Sequence, residues 1–163
     1  MIAPSDRSNL QNFWGSSSTT GVSQITMPHT LPPARDLTSQ TLAKLGEGLV
    51  ACWADASGFQ LLAKGLRHIG FELDIVVRRG STLCVLEVKT RLNPKHPPDM
   101  NTTRTWIGAR KKAALTRGLN HILGKLSAND TVIKTLTVDL IAVDLFSNDQ
   151  KIKAYRWPNV LSS

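Results

Sequence analysis

The chain has 163 residues, 41% of them hydrophobic and 20% charged, which suits one domain with its own hydrophobic core. No apolar run reaches the roughly 18 residues that would span a bilayer, and the N-terminus lacks an apolar stretch behind a basic start, so neither a membrane anchor nor a secretory signal is expected. The net charge is +8, and the nine basic residues between Lys89 and Lys125, set against the single acid Asp99, carry as much of it as the whole chain. That concentration suits a polyanion-binding surface, with a solvated basic face as the competing reading.

Residues 1–36 are rich in Ser, Thr, Pro, Gly and Asn and predict a flexible tail, ordered only if something holds it, with Trp14 and the "PHTLPPARD" segment as the parts that could dock; 37–163 is left as the folded domain. From Thr38, apolar residues at Leu42, Leu45, Leu49, Trp53 and Ala56 predict a helix that ends at Gly58. "FQLLAK" (59–64) reads as a short strand. "FELDIVVR" (71–78) and "TLCVLEVKT" (82–90) read as a hairpin joined through Gly80. A Pro- and Asn-rich loop follows, long for a compact domain and therefore expected to be mobile or functional. A second helix is expected over about 106–126 on Leu115, Leu119, Ile122 and Leu126. A buried strand at 135–146 and a more polar one at 151–157 complete an α/β domain with a mixed sheet, in the order α-β-β-β-α-β-β. Cys52 and Cys84 both lie in apolar segments without metal-ligand spacing. They are expected to be buried free thiols, as in a reducing, cytoplasmic compartment.

The strand "TLCVLEVKTR" is apolar on both faces yet carries Glu87 and Lys89 near its end, where ionised groups need a partner, a metal or a substrate. Alternation puts Glu87 and Lys89 on one face. A two- or four-residue turn at Gly80 would bring Asp74 opposite or diagonal to Glu87 on that face, and a three-residue turn would turn it away. Two carboxylates that close raise one another's pKa unless a cation intervenes, and hard oxygen ligands suit Mg²⁺ or Mn²⁺. An ordinary hairpin ion pair is the plainer alternative. Glu47 lies on a second stripe of small residues and is flanked by Gly46 and Gly48, which are costly in a helix unless something approaches closely. Lys111 falls on the core-facing stripe of the second helix, with Lys112 beside it, so either must snorkel or reach a polar cleft. Arg110 and Arg117 are expected to point away. Glu72 is a candidate partner for Arg67 or Arg78, and Asp139 and Asp144 read as strand-end or edge residues.

Taken together, Gly46–Glu47, Arg67, Glu72, Asp74 and the Glu87-Val88-Lys89-x-Arg91 strand resemble the YraN-like family, small bacterial proteins related to Holliday-junction resolvases within the PD-(D/E)XK nuclease superfamily. The resemblance covers about residues 40–157. Phe71 departs from it, standing where the family usually has Gly, and Gly65 stands where Asn is frequent. The resemblance implies a restriction-endonuclease-like core and a Mg²⁺- or Mn²⁺-dependent endonuclease acting on DNA of branched or otherwise structured form. Asp74 and Glu87 would bind the metal with help from Glu47, and Lys89 would orient the attacking water. Arg91, Lys95, Arg104, Arg110 and Lys111 or Lys112 would hold the nucleic-acid backbone. Related resolvases work as dimers, so a homodimer is the implied assembly. A nucleic-acid-binding module that keeps the fold without turnover is the alternative.

Overall fold

A computed structural model of the chain describes residues 13–14, 21–26, 37–127 and 132–161. Its elements, in chain order, are β1 (Gly21–Thr26), α1 (Ser39–Ala56), β2 (Gln60–His68), β3 (Phe71–Arg79), β4 (Thr82–Leu92), α2 (Met100–Trp106), α3 (Ala109–Ser127), β5 (Thr135–Phe146) and β6 (Lys151–Trp157). The strands form one six-stranded sheet in the order β1-β6-β5-β4-β3-β2. Only β4 and β5 run parallel, and the crossover between them carries α2 and α3, as a parallel pair requires. The α/β class and the expected order of elements are thus present, with β1 and α2 in addition. The arrangement is compatible with a nuclease-like core.

Each face of the sheet has its own core. Ile75, Val77, Cys84, Leu86, Ile141 and Val143 pack under α1. Leu83, Val85, Val138, Leu140 and Ala142 pack under α3 with Leu115, Leu119 and Ile122. This double cover explains why β4 and β5 read as nearly continuous apolar runs. The two helices meet the sheet differently. On α3 the buried residues follow the expected apolar stripe, joined by Gly118. On α1 the fully buried seam is Gly46, Val50, Ala51, Trp53 and Ala54, while Leu42, Leu45 and Leu49 are only partly covered. The inner face thus falls between the two stripes: Trp53 of the leucine stripe and Val50 and Ala54 of the small-residue stripe are buried, while Ala43 is exposed. A Cβ on Gly46 would overlap Thr90 Oγ1 and lie 2.9 Å from Thr90 Cβ, whereas one on Gly48 would meet nothing within 4 Å. Close approach accounts for the first glycine and not for the second.

Two further expectations are corrected. Cys52 is exposed, because its position falls off the Val50–Trp53–Ala54 seam; Cys84 is buried as expected. Asp139 and Asp144 are not edge residues but sit buried in β5, an interior strand. Each is neutralised by an arginine distant in sequence. Arg156 Nη2 lies 2.7 Å from Asp139 Oδ2, and Arg91 grips Asp144 through Nε at 2.7 Å and Nη2 at 2.6 Å. The segment after β4 is held by hydrogen bonds along its length. Arg91 Nη2 donates to the His96 carbonyl at 3.2 Å, Asn93 Nδ2 donates to Ser147 Oγ at 2.9 Å, and Asp99 Oδ1 caps α2 by accepting the Thr102 N–H at 2.7 Å. Parts of the segment expected as a tail are described. β1 pairs antiparallel with β6, and Phe13 and Trp14 are buried in the α1-side core. The rest of 1–36 lies outside the described residues.

Candidate functional site

The β3–β4 hairpin closes on two residues, Gly80 and Ser81, between the pair Arg79 and Thr82. Its regular register runs to Ile75 opposite Leu86, so the next position places Asp74 opposite Glu87. Of the alternatives open in the sequence, the two-residue turn is the one formed. The strand breaks at this point. Leu73 belongs to the α3-side core and Ile75 to the α1-side core, although strict alternation would put them on one face. On the other side of β3, Gly65 stands at the matching place in β2, between the pairs Lys64–Ile75 and Leu66–Leu73, with a φ of +62°. Asp74 uses the break: its Oδ2 accepts the Val88 N–H at 2.8 Å, tying the end of β3 to β4 through a side chain.

Glu87 and Lys89 follow Leu83 and Val85 on the α3 face. Lys111, on the inner stripe of α3, reaches Glu87 with Nζ 2.6 Å from Oε1. The other carboxylate oxygen, Oε2, is buried with no hydrogen-bond partner. Burial, and next the Asp74 charge, push the Glu87 carboxyl up to about 7, against the pull of Lys111 and Lys89. Burial likewise raises Asp74, opposed by its bond from Val88 and by the Lys111 charge. Lys89 is exposed at the rim. Two repelling, desolvated carboxylates, one with an orphaned oxygen, are a donor set that a divalent cation would satisfy.

Glu47 stands apart from that pair. It is half-buried in α1 and lines a groove of about 420 Å³ with Lys44, Lys64, Gly65, Arg67 and Glu72. Burial raises its pKa, with Asp74 the next cause, so it shares the field of the pair. Among the described residues, no three His, Cys, Asp or Glu side chains are grouped to hold an ion by themselves. Mg²⁺ does not require three, since it commonly takes one or two carboxylates and completes its shell with water and phosphate oxygens.

The expected backbone-binding residues divide. Arg91 is committed to Asp144 and the 93–99 loop, with its guanidinium also 5.8 Å from the Trp106 ring. Lys111 is committed to Glu87, which decides between it and Lys112 as the lysine that faces the carboxylates. Lys95, Arg104 and Arg110 are exposed. Arg117 is exposed, pointing away from the core as expected, and donates from Nη2 to the Gly70 carbonyl at 2.7 Å. Glu72 pairs with Arg67 at 2.7 Å, as one of its two expected partners. Sequence reading missed Lys44 and Lys64; the signals were Lys44 three positions before Glu47 on α1 and Lys64 beside Gly65.

The profile of the uncharacterised protein family UPF0102 matches residues 46–143, more than half of the chain, and takes in Glu47, Asp74, Glu87, Lys89 and Lys111. The chain belongs to the UPF0102 family. This is the YraN-like family indicated by the sequence motifs. UPF0102 proteins similar to it include one from Geobacter metallireducens, 35% identical over 49% of this chain and 66% of its own length. Another, from Chlorobaculum parvum, is 32% identical over 69% of this chain and 81% of its own. A third, from Paramagnetospirillum magneticum, is 43% identical over 37% and 50%. The matched regions thus span from half to about four fifths of these UPF0102 relatives. No helix among the described residues is long and apolar enough to cross a membrane.

Proposed function

We propose that the chain is a Mg²⁺- or Mn²⁺-dependent endonuclease that hydrolyses phosphodiester bonds in DNA, with branched or otherwise structured DNA as its preferred substrate. The observation that carries this reading is the Asp74–Glu87 pair, held opposite one another where β3 breaks, with the buried Oε2 of Glu87 unpartnered. As plain ion-pair chemistry the arrangement is poor, because one lysine and the Val88 N–H serve two crowded carboxylates and leave the buried Oε2 of Glu87 unpartnered. As the two-carboxylate half of a divalent site it is complete.

Asp74 and Glu87 would hold the cation. Bound there, it would acidify a water and offset charge developing on the scissile phosphate. The chain's own groups do the rest. The Val88 N–H fixes the Asp74 carboxylate in one orientation, and Lys111 fixes Glu87. Lys89, on the same face and open to solvent, would orient the attacking water and add a fixed positive charge as the phosphate's charge grows. Exposed Lys95, Arg104 and Arg110 lie in the segments after Lys89 and suit backbone phosphates. Carboxylates clustered beside a phosphate-binding surface would repel the ligand of a pure binding module, which favours the enzyme over that alternative.

The test is cleavage of labelled duplex, single-stranded, flap and four-way-junction DNA in Mg²⁺ or Mn²⁺, with wild type and Lys89→Ala side by side. Cleavage by wild type, lost in Lys89→Ala of unchanged circular dichroism, is expected. Salt-sensitive retention of the same DNAs without cleavage in either metal would overturn the enzyme and leave the binding module.

A further inference from the structure

The turn between β2 and β3, Ile69–Gly70, lies at the same end of the sheet as the carboxylate pair, because Asp74 is near the start of β3. Its apex is apolar. Ile69 is 94% exposed, more than any other large hydrophobic residue among those described. A single exposed aliphatic side chain is ordinary in itself, but this one is held out on a built support. Gly70 takes a φ of +86°, which the third position of such a turn requires. Arg117 clamps the Gly70 carbonyl from α3 with two hydrogen bonds, at 3.2 Å and 2.7 Å. Beneath the turn the His68 ring stacks on Phe71 at 5.3 Å between centroids, and His121 of α3 closes the cluster, 4.8 Å from His68 and 5.4 Å from Phe71. A braced turn with an aromatic base, presenting isoleucine outward, has the build of a wedge.

We infer that Ile69 is an apolar wedge that seats between bases at a branch point or other break in the stack, and so sets which DNA structures are cut. The inference rests on the endonuclease reading above and adds to it the element that distinguishes substrates. Apolar side chains of this kind enter base steps in proteins that kink or part a duplex. The cost of unstacking is least where the stack is already interrupted. A wedge of one residue therefore favours branched over continuous DNA, without contacting any base edge. Of its charged neighbours, Arg67 is paired with Glu72 and Arg117 is bonded to the Gly70 carbonyl, so what the turn offers a base is chiefly apolar and aromatic, through Ile69 and the exposed His68 ring. Position also fits. Asp74 lies five positions after Ile69, with Gly70 and three residues of β3 between them, at most roughly 16 Å at strand rise, so the stack would be parted within about five base steps of the bond that is cut.

The experiment uses a four-way junction and a linear duplex of the same sequence, each with 2-aminopurine at the position corresponding to the branch. Binding is followed by fluorescence without divalent ions, and cleavage is followed in Mg²⁺. Ile69→Ser should lose the fluorescence rise on junction binding and about tenfold of the junction-over-duplex preference in both binding and cleavage. Its affinity for the linear duplex should be unchanged, and Ile69→Leu should behave as wild type. The side chain is exposed, so these variants are expected to fold; thermal melts equal to wild type confirm it. An Ile69→Ser protein that keeps both the fluorescence rise and the junction preference overturns the wedge while leaving the nuclease. A wild type that binds and cleaves neither DNA overturns the nuclease reading, and the wedge with it.

Discussion

Glu87 carries a consequence that runs opposite to the usual behaviour of a carboxylate in a folded protein. Its pKa in the fold is about 7, above the 4.5 of an ordinary glutamate, because burial and Asp74 outweigh Lys111 and Lys89. The folded chain therefore holds a proton that the unfolded chain releases. The associated stability is fully present below pH 4.5 and is lost as the pH rises through 7. Replacing the group by Glu87→Gln removes that dependence with little change of shape. In urea denaturation without divalent ions, Glu87→Gln should match wild type near pH 5 and exceed it by roughly 2 kcal/mol at pH 8. Mg²⁺ at pH 8 should stabilise wild type alone and narrow the gap. A gap that is the same at both pH values, or is unmoved by Mg²⁺, would place the carboxylate in a structural ion pair instead. At this scale the sequence told much: an acid and a lysine two apart at the mouth of an apolar strand already required a partner or a ligand. It could not tell that Arg91 would be committed to Asp144, because that pair joins residues 53 apart across two strands, and nothing local to either residue marks it.

Among the elements, the hairpin was legible because side-chain alternation and turn length together admit few registers. Gly80 narrowed the choice, and the two-residue turn then put Asp74 opposite Glu87. The helix α1 was less legible. Periodicity found its extent and put Trp53 on its inner face, but not that Gly46, Val50 and Ala54 lie deeper than the three leucines, which outweigh them on any hydropathy count. Contact distance decides the matter: the helix rides so close to β4 that only a glycine fits over Thr90. The two glycines flanking Glu47 should therefore respond in opposite directions. Gly46→Ala drives a methyl group into a β-branched side chain of an interior strand, and should destabilise by about 2 kcal/mol. Gly48→Ala meets nothing and should stabilise by about 1 kcal/mol through helix propensity. Thermal denaturation of the two variants measures both. Loss of stability in Gly48→Ala would show that the second glycine, too, is there for a close approach. Helix α2 was missed because the Pro-rich stretch before it reads as loop and the helix is only seven residues long, too short for a periodic pattern.

Across the whole molecule the two ends of the sheet are built differently. One end carries Asp74, Glu87 and Lys89. The other holds a cavity of about 430 Å³ whose lining includes Trp14, Phe59, Arg79, Cys84, Asp139 and Arg156. Its wall depends on residues that composition alone assigned to a flexible tail. Low hydrophobicity over 36 residues conceals two large aromatic side chains, and a window average has no means of weighting a pair of anchors. Phe13 and Trp14 are each 2% exposed. The Trp14 ring lies 5.2 Å from Phe59 and under the Arg156 guanidinium at 5.5 Å, and Arg156 Nη1 donates to the Phe13 carbonyl at 3.2 Å. The segment is thus bound to the buried Asp139–Arg156 pair, and β1 beyond it covers the edge of β6 that would otherwise be open. Trp14→Ala should cost about 3 kcal/mol, tempered by release of an indole N–H that is buried without a partner. For a chain of this length that is a fall in Tm of roughly 10 °C. Because Trp14 sits at the end of the sheet away from the carboxylates, DNA cleavage per folded molecule well below the Tm should not change. Equal melting of Trp14→Ala and wild type would mean that the segment is an appendage and the domain begins near residue 37. Parallel loss of stability and cleavage below the Tm would mean that the two ends of the sheet are coupled through β4 and β5, the strands that run between them.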